Sequence, residues 1–273
     1  MNSRHYLAML PLMAANAYAE LTPLDDESLE ATVGQAYIEM ESFANGSTQY
    51  NRITFGQTIE IQTNADEVVF GEGYLHDTPN TVGTTADVDL NLQNVSLGYI
   101  DNATGNIIPF TLTNPYLEFA KDASNNITGF RIGFGEAQGK FQADFNSFSG
   151  NIGMQIDGTD AILFNSGNTI TNSRATKIGL GDCSSSCWDL NNVNGLDVGE
   201  GAGATGDFFM SFQKDNGVQW RLADGATYTT NVTEGFFLNV PTTNNFTSAE
   251  MSAGTQAFST EFIDRGVGRF TGP

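Results

Sequence analysis

Alternation of apolar and polar side chains limits the fold of this chain more than any other sequence feature. Between Tyr50 and Ile61, apolar residues at Ile53, Phe55 and Ile59 alternate with polar ones. Successive side chains of a β-strand point to opposite faces, so a period of two predicts a strand with one buried and one solvated face. The same period recurs at Val88, Leu90 and Leu92, at Val95, Leu97 and Tyr99, at Phe130, Ile132 and Phe134, at Phe141, Ala143 and Phe145, and at Ile152, Met154 and Ile156.

Turn-forming sequences separate several of these segments. They run from Asp101 to Asn106, from Asp122 to Asn126 and from Asp157 to Asp160. Asn, Asp and Gly accept a positive φ, so each stretch suits a hairpin. Strands joined this closely are antiparallel neighbours, which predicts a meander from about Val88 to Phe164, with a bulge near Asn94 where the phase changes. The predicted fold class is all-β: a large antiparallel sandwich, an open barrel or an extended meander, with one short N-terminal helix.

The first nineteen residues predict a secretory signal peptide. They carry a positive charge at Arg4, an apolar run from Tyr6 to Ala15, and a small-residue ending at Ala19. Cleavage there begins the mature chain at Glu20 and places it in the periplasm, at the outer-membrane surface or outside the cell. No run of 18 or more apolar residues follows, so no transmembrane segment is predicted once the signal is removed.

Residues 20–35 carry the clearest helix signal in the chain. Thr22 suits the N-cap and Pro23 the first helical position, and the acidic residues that follow complement the positive end of the helix dipole. The sequence therefore predicts one short helix here. Its apolar residues Leu21, Leu24 and Leu29 form a stripe that we expect to dock against a partner.

The remainder of the chain, 36–273, is predicted to be a single β-rich domain. Within it, residues 165–206 are rich in Gly, Asn and Ser without sustained alternation, which predicts a long elaborated insertion. Cys183 and Cys187 lie in this insertion, and a neighbouring pair in an oxidising compartment predicts one disulfide. A redox or metal role fits the pair less well, because the spacing is C-x3-C and the chain has no other cysteine.

A cluster of oxygen-bearing side chains follows the cysteines. Closely spaced carboxylate and amide oxygens around a flexible glycine are the ligands that Ca²⁺ prefers. The predicted calcium ligands are Asp189, Asn191, Asn194, Asp197 and Glu200. The alternative is a solvated Asn/Asp turn without metal. No other cofactor is predicted.

The charge of the chain excludes several kinds of partner. Its net charge is −21, with 32 acidic and 11 basic residues. Loss of Arg4 with the signal peptide leaves 10 basic residues and a net charge of −22. Nucleic acids and anionic lipid surfaces repel such a protein, so neither is predicted as a partner.

The chain is also poor in the residues that catalysis needs. With His5 in the signal peptide, His76 is the only histidine of the mature chain, and a Ser-His-Asp or Cys-His site requires an imidazole. A non-enzymatic protein is therefore predicted, and a hydrolase built on two carboxylates is the remaining enzymatic alternative. Trp188 and Trp220 are interpreted as core or interface residues rather than as sugar-stacking platforms.

The segment after the signal peptide resembles the mature N-terminus of a group of exported gammaproteobacterial β-rich proteins. That group shares a Leu-Asp-Asp-x-x-Leu-x-x-x-x-Gly-Gln start, and some members are labelled as pilus-assembly or filament-associated proteins. The matching residues are Leu24, Asp25, Asp26, Leu29, Gly34 and Gln35. The resemblance covers about 22 residues and implies a role at the surface of a Gram-negative cell.

Two functions are predicted from these features. The first is an exported structural or adhesive surface protein, associated with a pilus or filament, whose strand edges and Phe-rich faces bind other surface proteins or a second copy of the chain. The alternative is a periplasmic or extracellular binding module for a lipid, hydrocarbon or glycan, with a Phe-lined interior as the ligand site.

Overall fold

The computed structural model describes residues 37–71, 88–199, 203–214, 217–230 and 232–260. They belong to the second of two compact units, Ala36–Pro273. The first unit, Met1–Gln35, lies outside the described residues. The predicted signal peptide and N-terminal helix therefore lie outside them as well.

The described residues are mostly β-strand, which confirms the all-β fold class. The strands are β1 Tyr37–Asn45, β2 Thr48–Gly56, β3 Thr58–Ile61, β4 Thr63–Phe70, β5 Leu90–Leu97, β6 Tyr99–Ile100, β7 Ile107–Ile108, β8 Phe110–Lys121, β9 Ile127–Phe148, β10 Gly150–Ile156, β11 Thr159–Asp160, β12 Ile162–Phe164, β13 Lys177–Gly179, β14 Cys187–Asp189, β15 Gly195–Val198, β16 Phe209–Gln213 and β17 Gly235–Phe246. A 3₁₀ turn spans Leu190–Asn192, and one helix, α1, spans Ser248–Ala253.

Twelve strands form one large mixed sheet. Its main path runs β1-β2-β8-β9-β16-β17-β10-β11, and β3, β4, β5 and β15 pair along its side. Neighbours in sequence pair antiparallel where short turns join them, as in β1–β2, β8–β9 and β10–β11. Strand β10 differs, because it pairs parallel with β17 far along the chain. Two small sheets, β12-β13-β14 and β6-β7, are separate from the large one in the described part of the chain.

Strand β9 is a single strand of 22 residues, although two separate strands were predicted within it. Its first half pairs with β8 and β16, and its second half with β5 and β15. Different partners along one strand keep its backbone hydrogen-bonded throughout, so no turn is needed between the two apolar segments.

Three turns and one bulge lie where the sequence predicts them. The stretches at 101–106, 122–126 and 157–160 close β6–β7, β8–β9 and β10–β11. The bulge predicted near Asn94 is confirmed, since this residue has φ +51° where the β5–β9 register shifts. Helix α1 was not predicted. It begins at a capping box in which Thr247 and Glu250 bond each other's backbone N–H.

Two hydrophobic clusters pack against the sheet. The larger is built around Phe145, Phe148, Ile152 and Leu196. The smaller consists of Tyr50, Ala120, Phe209, Val218, Trp220, Val232 and Phe237. Among the described residues, no helix is long and apolar enough to span a membrane.

Candidate interaction surface

One face of the large sheet carries two continuous rows of side chains across six strands. Residues directly opposite each other in paired strands share a face. The register therefore aligns Ser42, Asn51, Phe119, Phe130, Phe212 and Phe236 in one row, and Met40, Ile53, Leu117, Ile132, Met210 and Leu238 in the next. Neither row contains a charged residue. We call these twelve residues the apolar face.

Exposed apolar side chains concentrate on this face and at its border. Met40 is 77% exposed and Phe212 is 38% exposed, and both lie in the rows. Ile38, two residues before Met40 on the same side of β1, is 55% exposed, and Ile127 at the start of β9 is 58% exposed. With Phe70, they make five of the seven exposed large hydrophobic residues among those described. Such clustering marks an interaction surface more than scattered single residues do.

A groove continues the apolar face at its β17 end. It encloses about 400 Å³ and is lined by residues that include Ile127, Phe130, Phe212 and Phe236. The Phe70 ring stacks on Phe236 with centroids 4.9 Å apart, and Phe212 meets Phe236 edge-on at 5.2 Å. These contacts fix the ring positions, so the groove is an ordered apolar depression.

Strand β1 forms one end of the sheet path, and it pairs only with β2 in the described part of the chain. It is nine residues long, whereas β11 at the other end of the path has two. A long edge strand presents a row of backbone N–H and C=O groups to which another strand can bind.

The opposite face of the same strands carries a row of alternating charges. Glu41, Arg52, Glu118 and Arg131 lie opposite one another across β1, β2, β8 and β9. Arg52 Nε donates to Glu118 Oε2 at 2.6 Å, and Arg131 Nη2 donates to Glu118 Oε1 at 2.7 Å. The side chains of Glu118 and Arg131 are 0% and 1% exposed. Burial is tolerated because each oxygen of the carboxylate has a cationic donor.

Segment 217–230 covers this charged row and ties it to the edge strand. Arg131 Nη1 donates to the backbone carbonyl of Arg221 at 2.9 Å, and its guanidinium lies 5.2 Å from the Trp220 ring. Arg221 Nη2 donates to both carboxylate oxygens of Glu41 at 2.6 and 2.7 Å. The segment therefore holds β1 in place from one side and leaves the apolar face on the other.

Two buried phenols beside the charged row predict how stability depends on pH. Burial raises the pKa of Tyr50 from 10.0 to about 12. Its hydroxyl donates to the Gln219 carbonyl at 2.5 Å. Burial also raises the pKa of Tyr116. Between pH 10 and 12 the unfolded chain loses the Tyr50 proton while the folded chain keeps it, so stability falls as pH rises through this window. The raised pKa of Tyr116 acts in the same direction.

We therefore expect the contribution of Tyr50 to the free energy of unfolding to be independent of pH below about pH 10 and to fall above it, by up to about 1.4 kcal/mol per pH unit. Denaturant unfolding at pH 9, 10, 11 and 12 measures the slope. Tyr50→Phe should make the alkaline slope shallower, and an unchanged slope in that variant would contradict the assignment.

The predicted disulfide is present between Cys183 and Cys187, whose Cα atoms are 4.8 Å apart. The predicted insertion around it is more regular than a loop. It contains β13, β14 and the 3₁₀ turn, and β15 joins the second half of β9. The cysteines hold a short Ser-rich turn that precedes β14.

The predicted calcium ligands are only partly described, because Glu200 lies outside the described residues. Asp197 Oδ1 accepts a hydrogen bond from Lys140 Nζ at 2.7 Å, and Asn194 Nδ2 donates to Asp144 Oδ1 at 2.8 Å. The other two predicted ligands, Asp189 and Asn191, are exposed. Over the described ranges, no group of three or more His, Cys, Asp or Glu residues is placed to hold a metal ion. The calcium site stays a prediction.

The structure describes some of the other residues considered in the sequence analysis and not others. His76 and the predicted docking leucines, Leu21, Leu24 and Leu29, lie outside the described residues. Trp220 is fully buried in the smaller hydrophobic cluster. Trp188 packs against the larger one, and its Nε1 donates to Ser252 Oγ at 2.9 Å. Neither tryptophan therefore supports a stacking platform for sugars.

Sequence reasoning missed strand β1 and the buried charges. The alternation of Ile38 and Met40 with Glu39 and Glu41 was a usable period-two signal for β1. The pairing of Glu118 with arginines has no comparable local signal, because it depends on the register of distant strands.

Comparisons of this chain with protein-family models, curated proteins and solved structures found no match. The resemblance of the segment after the predicted signal peptide to exported surface proteins therefore stays a prediction. Evidence for function comes from the geometry of the apolar face, its groove and the edge strand.

Proposed function

We propose that this chain is an exported structural or adhesive protein of the bacterial cell surface, associated with a pilus or filament, that acts by binding other proteins. The observation that carries the proposal is the apolar face: two of the seven exposed large hydrophobic residues among those described lie in its uncharged rows, and three more lie beside them. Burial of such a surface against a partner is favourable, and soluble proteins seldom leave one open without a use.

Charge supports the same assignment. A net charge of −21 makes most of the surface repel other acidic proteins. The apolar face has no charge in either of its rows, so a partner approaches there with the smallest electrostatic cost. The acidic remainder limits association elsewhere, which suits a component that binds through one defined surface.

The disulfide supports the proposed location. Disulfides persist in oxidising compartments such as the periplasm and the cell surface. The Cys183–Cys187 bond thus agrees with export.

A second candidate function, binding of an apolar ligand such as a lipid or hydrocarbon, is favoured by the groove. Its volume of about 400 Å³ lies within the range of small-molecule sites, and four apolar side chains line it. A thermal-shift experiment with dodecanoate distinguishes the two functions, because only a ligand-binding module gains stability from the ligand.

A pair of matched lysine substitutions tests the leading proposal. Ile127 and Ile170 are 58% and 59% exposed, but only Ile127 borders the apolar face. We expect Ile127→Lys to lower the amount of protein in the filament or surface fraction about tenfold or more, because it replaces apolar burial with a charge at the interface. Quantitative immunoblotting of the sheared surface fraction measures the effect.

Ile170→Lys is the control, and it should leave the surface fraction and the thermal midpoint as in the unmodified protein. Equal losses in both variants, or no loss in either, would count against the apolar face as the interface. A midpoint raised by dodecanoate, with the rise abolished in Phe212→Ala, would favour the ligand-binding function instead.

A further inference from the structure

The edge strand β1 is built to accept another strand. It contains neither proline nor lysine, the residues that commonly block a sheet edge. Its partner β2 follows through a two-residue turn, in which Asn45 and Thr48 form the closing pair and Gly46 has φ +59°. A glycine with positive φ at this turn position is typical of a tight hairpin.

Hairpin geometry determines which backbone groups of β1 point outward. The residues that close a two-residue hairpin hydrogen-bond to each other, and bonded and non-bonded pairs then alternate along an antiparallel ladder. Counting back from Asn45, the outward N–H and C=O groups belong to Ile38, Met40, Ser42 and Ala44. These residues also lie on the apolar side of the sheet.

The other side of β1 carries carboxylates. Glu41 is bound by Arg221, but Glu39 is exposed and has no ion pair or hydrogen bond to the described residues. An incoming strand therefore meets apolar side chains on one face and negative charge on the other. Strand β2 already meets β1 in this manner, with Ile53 opposite Met40 and Arg52 opposite Glu41.

We propose that β1 binds an extended segment of another surface protein in which apolar and basic side chains alternate, and that this segment pairs with β1 as an additional strand. The inference rests on the proposed function and names the chemistry of its partner. A second copy of β1 paired antiparallel about Met40 fits less well, because Glu39 would lie opposite Glu41 of the copy. Like charges in directly opposed positions destabilise a sheet.

A synthetic nine-residue peptide of alternating lysine and valine is the probe, with a glutamate–valine peptide of equal length for comparison. Fluorescence anisotropy of the labelled peptides against the purified protein measures binding. We expect the lysine–valine peptide to bind more tightly than the glutamate–valine peptide.

Substitutions at Ser42 test whether the backbone edge is used. Ser42→Pro removes one outward N–H and is tolerated in an edge strand, whereas Ser42→Ala keeps the N–H and removes only the hydroxyl that accepts from Asn51. We expect Ser42→Pro to weaken binding of the lysine–valine peptide about tenfold or more, and Ser42→Ala to bind it as the unmodified protein does. Equal thermal midpoints for the two variants show that both are folded.

A charge reversal tests the chemistry of the partner. In the Glu39→Lys variant, the lysine–valine peptide should bind more weakly and the glutamate–valine peptide more tightly than in the unmodified protein. Each affinity should change by roughly two- to fivefold. Equal binding of the two peptides by the unmodified protein, or equal binding by the Ser42→Pro and Ser42→Ala variants, overturns the proposal. Dimerisation of the unmodified protein in sedimentation velocity, abolished by Ser42→Pro, would overturn the partner class in favour of a second copy.

Failure of this inference is distinguishable from failure of the proposed function. If Ile127→Lys loses surface association but the protein binds both peptides equally, strand addition is rejected. The proposed function at the cell surface is then retained. If the protein binds the lysine–valine peptide selectively but Ile127→Lys associates normally with the surface, the apolar face is rejected as the interface. Strand addition at β1 is then retained.

Discussion

Glu118→Gln is expected to lower the free energy of unfolding by about 3–5 kcal/mol. The Glu118 carboxylate is fully buried and binds Arg52 and Arg131 through separate oxygens. Glutamine has nearly the same shape but no charge, and its amide NH₂ faces a guanidinium that is also a donor. Arg131 is 1% exposed and would be left as a buried charge without a carboxylate partner. Guanidinium chloride denaturation followed by circular dichroism measures the change.

Glu67→Gln is the matched control, because Glu67 is an exposed acid on β4. It should change stability by less than about 0.5 kcal/mol. A double variant, Glu118→Met with Arg131→Met, should be more stable than Glu118→Gln. Replacing both members of the buried pair with apolar side chains leaves neither position with an unpaired charge. A loss in Glu118→Gln no greater than in Glu67→Gln would show that the buried charge row is not essential to the fold.

Gly150→Ala is expected to cost more than about 4 kcal/mol or to prevent folding altogether. Gly150 has φ +151°, and a Cβ placed there would lie 1.8 Å from the backbone carbonyl oxygen of Leu238. That carbonyl belongs to β17, which pairs with β10 at this position. A backbone atom in a sheet cannot move aside as a flexible side chain does, so the parallel pairing would have to separate. Thermal unfolding and the yield of folded protein measure the loss.

Gly158→Ala separates steric conflict from backbone strain. Gly158 also has a positive φ, +77°, but open space surrounds its Cβ position. Its alanine variant should cost only about 1–2 kcal/mol, the penalty of a left-handed conformation for a residue with a Cβ. Similar losses in the two variants would show that strain rather than the β10–β17 contact dominates at Gly150.

The buried charges also bear on the candidate interaction surface. Arg131 and Arg221 connect the centre of the sheet to segment 217–230, and Arg221 binds Glu41 on the edge strand. Removing Glu118 therefore weakens the support beneath β1 as well as the core. A rigid edge suits strand addition, because less conformational entropy is lost when the partner binds.

Much of the local structure was predictable from the sequence. The period of two identified β2, β3, β5, β9 and β10 in whole or in part, because alternation follows directly from strand geometry. Asn, Asp and Gly marked the turns at 101–106, 122–126 and 157–160, and the phase change marked the bulge at Asn94. The spacing of Cys183 and Cys187 predicted their disulfide.

The candidate surface was less predictable. Its residues appeared in the sequence as separate apolar positions of Phe-rich strands, and β1 itself was not assigned. No local pattern shows that Phe119, Phe130, Phe212 and Phe236 lie in one row, since these residues are spread over more than a hundred positions.

By itself, the sequence determined that the segments of β2, β3, β5, β9 and β10 are strands, which side of each is apolar, and where several of the turns lie. Only the tertiary structure decided which strands are neighbours, including the parallel pairing of β10 with β17 and the placement of β16 between β9 and β17. The physical reason is that a strand's own pattern selects its faces, whereas any strand of matching pattern can satisfy its backbone hydrogen bonds. The choice among distant partners depends on burial and charge summed over the whole sheet, and that sum created both the uncharged apolar face and the buried charge row behind it.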